Sequence, residues 1–148
     1  MENTLKKQLE IAAPVSKVWK ALSDSRQFGE WFHVQIDEPF VAGKTTRARH
    51  TYPGGEHIHF AFEVKKIEPE TYFSMTWHPY AIDDKRDYSK EEQTLIEFRL
   101  EPTAKGTLLL VTESGFEKVS ADRRAEAFSM HNEGWIAQLK NIENYVTK

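Results

Sequence analysis

The stretch ADRRAEAFSMHNEGWIAQLKNIENYV, residues 121–146, decides the fold class. At about 100° per residue its main apolar positions fall within an arc of roughly 100°, the width of a helix face that packs against another layer. These positions are Ala121, Ala125, Phe128, Trp135, Leu139, Ile142 and Val146. His131 and Asn132 lie on the two shoulders of this stripe. We therefore expect one long helix with a large buried face.

The residues before this helix alternate mostly with the period of two that is typical of strands. After a first strand, Pro14 and Ser25 begin two short helices, because proline fits the first helical turn and serine is a good N-cap. About seven strands are predicted, at residues 5–11, 35–37, 45–52, 58–64, 73–77, 96–100 and 108–113. This order predicts an α+β fold in which an antiparallel sheet curves around the long helix, with a cavity between them.

Length and composition limit the functional classes. The chain has 148 residues, which we interpret as one domain over residues 1–148. The formal net charge is −3 and the basic residues are dispersed, so no nucleic-acid partner is expected. No stretch is typical of a signal peptide or of a membrane span, and there is no cysteine. We therefore expect a cytoplasmic location. Aromatic residues make up 12% of the chain, and we expect some of them to line a pocket.

No cofactor and no metal site are predicted. His57 and His59 would direct two imidazoles to one face of a strand, and His50 could approach across a hairpin. In a strand, however, His57 and His59 face the side opposite to Phe60. Both imidazoles therefore lie in solvent if that phenylalanine faces inward. Motifs for phosphate, dinucleotide or zinc binding and for a nucleophile elbow are absent from the sequence. The charged stretch 83–92 mixes signs and is predicted to be a solvated loop.

A series of short motifs resembles a known family. The motifs are Ile11-Ala12-Ala13-Pro14-Val15, Val18-Trp19, Leu22, Trp31-Phe32, Ile67-Glu68-Pro69, Thr76-Trp77, Thr112-Glu113-Ser114-Gly115-Phe116 and Gly134-Trp135. Their order and spacing resemble the START-related (SRPBCC) superfamily, and within it the small homologues of the C-terminal domain of the heat-shock protein 90 ATPase activator. The resemblance implies a helix-grip fold that encloses a cavity for apolar molecules. It implies no shared catalytic residue.

The direction of the side chains predicts which residues line this cavity. If Phe98 faces the long helix, the period of two brings Ile96 to the same side. The last strand is apolar on both faces, and we place Leu109, Val111 and Glu113 inward, as the family pattern also favours. The predicted ligand-binding residues are Trp31, His33, Phe60, Phe62, Met75, Trp77, Ile96, Phe98, Leu109, Val111, Glu113, Phe128, His131 and Trp135.

The polar members of this set each allow two interpretations. A buried Glu113 would anchor a ligand or pair with His131, because a buried carboxylate needs a partner or a shifted pKa. Alternatively, Glu113 lies at the rim in water, as most carboxylates do. His131 would donate a hydrogen bond into the cavity or serve only as a packing residue. The same choice applies to His33, which would lie at the cavity entrance.

Three functions remain open at this stage. We place first the binding of a small apolar or aromatic molecule in the cavity. The second is a cyclase, dehydratase or hydrolase that uses His131 or His33 with Glu113 as an acid–base pair. The third, suggested by the resemblance, is an interaction module that regulates a chaperone ATPase. A homodimer is compatible with the architecture, and no catalytic residue is assigned.

Overall fold

The computed structural model describes residues 3–79 and 85–148. Its elements are β1 (Thr4–Ile11), α1 (Val15–Ser23), α2 (Ser25–Phe32), β2 (Val34–Ile36), β3 (Thr45–His50), β4 (His59–Glu68), β5 (Tyr72–Trp77), β6 (Thr94–Pro102), β7 (Thr107–Ser114), a 3-10 turn (Phe116–Lys118) and α3 (Ala121–Val146). The predicted α+β order, with two short helices after the first strand and a long helix after the last, is confirmed.

The strands form one antiparallel sheet in the order β1-β7-β6-β5-β4-β3-β2. Its two edges, β1 and β2, are consecutive strands in the chain, so α1 and α2 connect one edge of the sheet to the other. A β-bulge between Val64 and Lys66 interrupts the pairing of β4 with β5, and such bulges bend a strand and increase its twist. The curved sheet is therefore closed at one end by α1 and α2 and covered by α3.

Helix α3 packs on the sheet along most of the predicted stripe. The buried residues of the helix are Arg123, Ala127, Trp135, Leu139, Ile142 and Val146. The prediction was wrong at the first turn of the helix, where Ala121 and Ala125 are exposed. Phe128, further along, is partly buried and packs against the core. No described helix, including α3 with its 26 residues, is long and apolar enough to cross a membrane.

Arg123 explains the change of face in that first turn. Its guanidinium bonds to the Glu91 carboxylate at 3.0 Å and to the Pro79 carbonyl at 2.8 Å. The guanidinium also lies 4.8 Å from the ring centre of Tyr88. Arg86 adds a 3.0 Å ion pair to Asp122. The start of α3 therefore packs against a polar segment of the chain instead of apolar side chains.

This packing adds to the prediction for the charged stretch 83–92. Between residues 85 and 92 the stretch is a mostly exposed loop, as predicted, but its Arg86 and Glu91 also form ion pairs with Asp122 and Arg123 of α3. Asp83 and Asp84 lie outside the described residues.

A further correction concerns α2, whose N-cap is Asp24 and not Ser25. The Asp24 carboxylate accepts a 3.0 Å hydrogen bond from the backbone N–H of Arg26.

Two helical glycines give opposite expectations for substitution by alanine. A Cβ at Gly29 in α2 would lie 2.5 Å from the Val34 carbonyl oxygen, whereas a Cβ at Gly134 in α3 would meet no described atom within 4 Å apart from its chain neighbours and the backbone of its own helix. We expect Gly29→Ala to lower the free energy of unfolding by about 1–3 kcal/mol through overpacking. Gly134→Ala should raise it by up to about 1 kcal/mol through helix propensity. Urea unfolding measures both, and equal effects of the same sign would contradict this packing.

Candidate functional site

The register of the sheet brings three polar groups together on its inner face. Trp77 at the end of β5 pairs with Thr94 at the start of β6, and Ile96 pairs with Glu113 on β7. Since residues two apart on a strand face the same side, Trp77, Thr94 and Glu113 share the face that α3 covers. The inward direction predicted for Glu113 is confirmed: the side chain is 0% exposed.

Each oxygen of the Glu113 carboxylate accepts two hydrogen bonds. Oε1 accepts from Nδ1 of His131 at 2.7 Å and from the indole Nε1 of Trp135 at 2.8 Å. Oε2 accepts from the indole Nε1 of Trp77 at 2.9 Å and from the Thr94 hydroxyl at 2.6 Å. We refer to these five residues as the Glu113 cluster. It joins β5, β6 and β7 to α3, because His131 and Trp135 are one helical turn apart and face the sheet together.

The surroundings of Glu113 favour the ionised carboxylate. Burial raises the pKa of the carboxyl, but the charge of His131 and the hydrogen bonds from His131, Thr94 and Trp77 outweigh burial, so the pKa lies below its ordinary value. The geometry is compatible with an ionised carboxylate, because both indole N–H groups can only donate to it. The predicted partnership of Glu113 and His131 is therefore observed, and the alternative of a solvated rim position is wrong.

An apolar groove opens at the surface beside the Glu113 cluster. It has a volume of about 160 Å³ and is lined by Phe32, His50, Trp77, Met130, His131, Gly134, Trp135 and Gln138. Aromatic rings fill the space beneath it: the Phe62 ring stacks on Trp77 at 5.3 Å, and the Phe98 ring meets the edge of Trp135 at 5.7 Å. The space between sheet and helix at this point is thus a shallow groove above a packed aromatic floor.

The predicted site residues separate into those at the groove and those beneath it. Trp77, His131 and Trp135 line the groove, and Glu113 lies directly behind them. The inward-facing residues of the strands are core residues, each at most 2% exposed: Phe62, Met75, Ile96, Phe98, Leu109 and Val111. These six residues support the groove rather than forming its walls.

Four predicted residues are not among the groove-lining side chains. The Trp31 indole donates to the Ala21 carbonyl at 2.8 Å and so joins α2 to α1. His33 is exposed and lines a separate depression near the end of α3. Phe128 packs against Phe116 on the far side of His131, and Phe60 packs behind His50 with their ring centres 4.8 Å apart.

The three histidines considered for a metal do not converge. His59 pairs with Arg49 on the outer face of the sheet, whereas Ala48 pairs with Phe60 on the inner face. His50 follows Ala48 by two residues and therefore faces inward, where burial lowers the pKa of its imidazole. His57 is exposed outside the strands. Among the described residues, no group of three or more His, Asp or Glu side chains could hold a metal ion.

Sequence reasoning missed several groove and cluster residues. Thr94 carried a usable signal, because it lies two residues before Ile96 and so faces the same side. His50 also shares the inner face by the same rule, but it was considered only as a metal ligand. Gly134 carries no such signal, since the room in the groove comes from its missing side chain. Phe32 comes from α2, whereas Met130 and Gln138 come from α3, and spacing alone cannot place these two helices against each other.

The Glu113 carboxylate should be necessary for stability. In Glu113→Gln the amide nitrogen would face donors that now meet an oxygen, so we expect the free energy of unfolding to fall by about 3–5 kcal/mol. Glu117→Gln, on an exposed position of the following turn, should change it by less than about 0.5 kcal/mol. Urea unfolding of both variants provides the measurement. A loss below about 1 kcal/mol for Glu113→Gln would contradict the proposed donor arrangement.

Acidification should remove the same contribution. Because the pKa of folded Glu113 lies below the ordinary value of 4.5, the unfolded chain takes up a proton first as the pH falls through that value. Stability from this group is therefore complete above the unfolded pKa and is lost as the pH falls through the folded pKa. Unfolding free energies measured at decreasing pH should fall more steeply for the wild type than for Glu113→Gln. If the unfolding free energies of the two proteins fell equally steeply with decreasing pH, Glu113 would not titrate as described.

The fold is shared with solved structures of low sequence identity. A Mesorhizobium loti protein matches with a TM-score of 0.76 at 25% identity, over 97% of this chain and 96% of that chain. A Chromobacterium violaceum protein matches with a TM-score of 0.75 at 18% identity, over 99% of both chains. The Aha1 dimer of Colwellia psychrerythraea matches with a TM-score of 0.73 at 19% identity, over 98% of this chain and 96% of that chain.

The sequence matches a family profile, whereas no curated protein matches the chain significantly. The profile described as "Activator of Hsp90 ATPase homolog 1-like protein" matches residues 12–147, which is nearly the whole chain. This family has the helix-grip fold described above, a fold consistent with ligand binding or with a regulatory role. The chain therefore belongs to the activator of Hsp90 ATPase homolog 1-like family.

Proposed function

We propose that this protein binds a small, planar, apolar molecule in the groove between α3 and the sheet. The observation that carries the proposal is the engagement of both indole N–H groups, of Trp77 and of Trp135, by the buried Glu113 carboxylate. The two indoles thus have satisfied polar atoms and fixed positions at the groove. The indole carbon atoms that line the groove can therefore contact a ligand without breaking a hydrogen bond.

The rigidity of these walls supports binding. An apolar ligand gains affinity when the site does not have to be ordered on binding. Three hydrogen bonds to Glu113 hold Trp77, Trp135 and His131, and ring packing supports the indoles from below. The groove is therefore prepared before a ligand arrives.

The size of the groove limits the ligand. Its volume of about 160 Å³ is close to that of an engineered cavity of about 150 Å³ that binds benzene, and below the roughly 300 Å³ at which drug-sized sites begin. One or two rings fit, whereas a lipid chain would extend into solvent. For about ten heavy atoms at roughly −0.5 kcal/mol each, the expected binding free energy is about −5 kcal/mol, a Kd of a few tenths of a millimolar.

NMR of the four tryptophan indoles tests this proposal. On titration with 4-nitroanisole, a planar probe of about this size, the Nε1–H signals of Trp77 and Trp135 should shift together and saturate. Trp31, bonded to Ala21, and Trp19, which packs on Phe73, serve as internal controls and should not move. If all four signals stay in place, or all four move alike, the groove is not the binding site.

A variant that fills the groove without harming the fold sharpens the test. Gly134→Leu places a side chain into the groove and favours the helix, so the affinity for 4-nitroanisole should fall at least about tenfold while stability is retained. Ala137→Leu, on an exposed position of the same helix, is the matched control and should bind normally. Unchanged affinity in Gly134→Leu would count against the groove.

The two other functions have less support. An acid–base enzyme would need Glu113 to reach a substrate, but that carboxylate is fully buried and engaged by four donors. For a protein partner, the supporting observation is the exposure of Met130 and Ile136 on α3, at 51% and 54%. The Colwellia psychrerythraea relative was solved as a dimer, so light scattering of this protein should accompany the titrations. A dimer that Ile136→Lys dissociates would favour the interaction role.

A further inference from the structure

We propose that the ligand of the groove carries a hydroxyl group on its ring, and that this hydroxyl donates a hydrogen bond to Nε2 of His131. The inference rests on the proposed function and specifies its ligand class as phenols. It follows from the hydrogen bond that His131 makes on its other nitrogen.

The first step is the position of the imidazole proton. Nδ1 of His131 lies 2.7 Å from Oε1 of Glu113, Trp135 donates to the same oxygen, and the lowered pKa of Glu113 keeps the carboxylate ionised near neutral pH. A carboxylate can only accept, so Nδ1 must carry a hydrogen. In the neutral imidazole the lone pair is then on Nε2, which makes Nε2 an acceptor.

The second step is the location of Nε2. The His131 ring lines the groove, lies 5.2 Å from the Trp77 ring, and has a side-chain exposure of 13%. No described residue bonds to Nε2. Because every buried side-chain nitrogen and oxygen of the described residues has a partner, Nε2 reaches solvent. It is thus an open acceptor at the edge of an apolar groove.

The third step is the orientation of this acceptor. The carboxylate that receives the Nδ1–H of His131 fixes the orientation of the ring and the tautomer with the lone pair on Nε2. A phenol matches the site, because its ring can lie on the apolar wall formed by Trp77, Trp135 and Phe32 while its O–H donates to Nε2. An ether of the same ring offers only acceptors and leaves Nε2 without a partner.

The other polar groups of the groove are weaker candidates. Gln138 is engaged at both ends of its amide, with Phe32 as acceptor and Asn141 as donor. His50 is the second imidazole at the groove, and burial lowers its pKa, so it is neutral near pH 7. No carboxylate bonds to the His50 ring among the described residues, so none fixes its tautomer as Glu113 fixes that of His131. His50 is nevertheless the rival that an experiment must separate.

The experiment compares 4-methylphenol with 4-methylanisole at about pH 8, where a phenol with the ordinary pKa of about 10 keeps its proton and an ordinary imidazole is neutral. The wild type should bind the phenol about tenfold more tightly, the worth of one good hydrogen bond. In His131→Asn the amide N–H can replace the Nδ1–H donor to Glu113, but nothing replaces Nε2. This variant should therefore bind both probes with the affinity of the ether. His33→Asn, at an exposed left-handed position that asparagine tolerates, should behave as the wild type.

The outcomes separate the two proposals. Equal affinities of the two probes in the wild type would overturn the phenol inference and leave the proposed function intact. Failure of both probes to bind would overturn the proposed function and the inference with it. A preference that persists in His131→Asn and disappears in His50→Phe would assign the hydroxyl to His50 and refute the inference.

A measurement on the wild type covers the case in which His131→Asn does not fold. The imidazole ¹⁵N signals report the protonation and bonding of each ring nitrogen. On addition of 4-methylphenol at about pH 8 the Nε2 signal of His131 should shift, whereas 4-methylanisole should leave it nearly unchanged. An Nε2 signal that ignores the bound phenol would overturn the inference without any variant.

Discussion

The buried Glu113 carboxylate is the interaction on which the rest of the structure depends. Removing a charge from water is costly, and it is tolerated only where hydrogen bonds replace the lost hydration. Here His131, Trp135, Trp77 and Thr94 supply one donor each. The same bonds attach α3 to three neighbouring strands and orient the walls of the groove. The Glu113 cluster therefore both stabilises the fold and positions the side chains of the candidate site.

Much of this arrangement could be predicted from the sequence, because period-two alternation fixes every side chain of a strand once one is oriented. Placing Phe98 inward led to Ile96 and, with the family pattern, to Glu113. The spacing of four residues likewise put His131 and Trp135 on one helix face. Both patterns depend only on residues that are close in sequence. Such patterns predict the structure correctly wherever one face of the helix or strand is extensively buried.

The parts that could not be predicted depend on contacts between distant segments. The burial of Arg123 in place of Ala121 and Ala125 follows from its pairing with Glu91, 32 residues away. No spacing rule links these two residues. The groove exists because Gly134 has no side chain and lies next to rings from other elements. Sequence patterns do not predict an empty space of this kind. The position of His33 also depends on the packing of distant segments, so its spacing from Trp31 and Phe32 did not predict it.

Hydrogen exchange of the tryptophan indole N–H groups tests the central claim most directly. The account predicts that the signals of Trp77 and Trp135 exchange slowly, with downfield shifts from bonds to a carboxylate, and that Trp31 is also protected. Trp19, whose indole donates to no described acceptor, should exchange fast. If Trp77 and Trp135 exchanged as rapidly as Trp19, Glu113 would not bridge the sheet and α3, and the account would be contradicted.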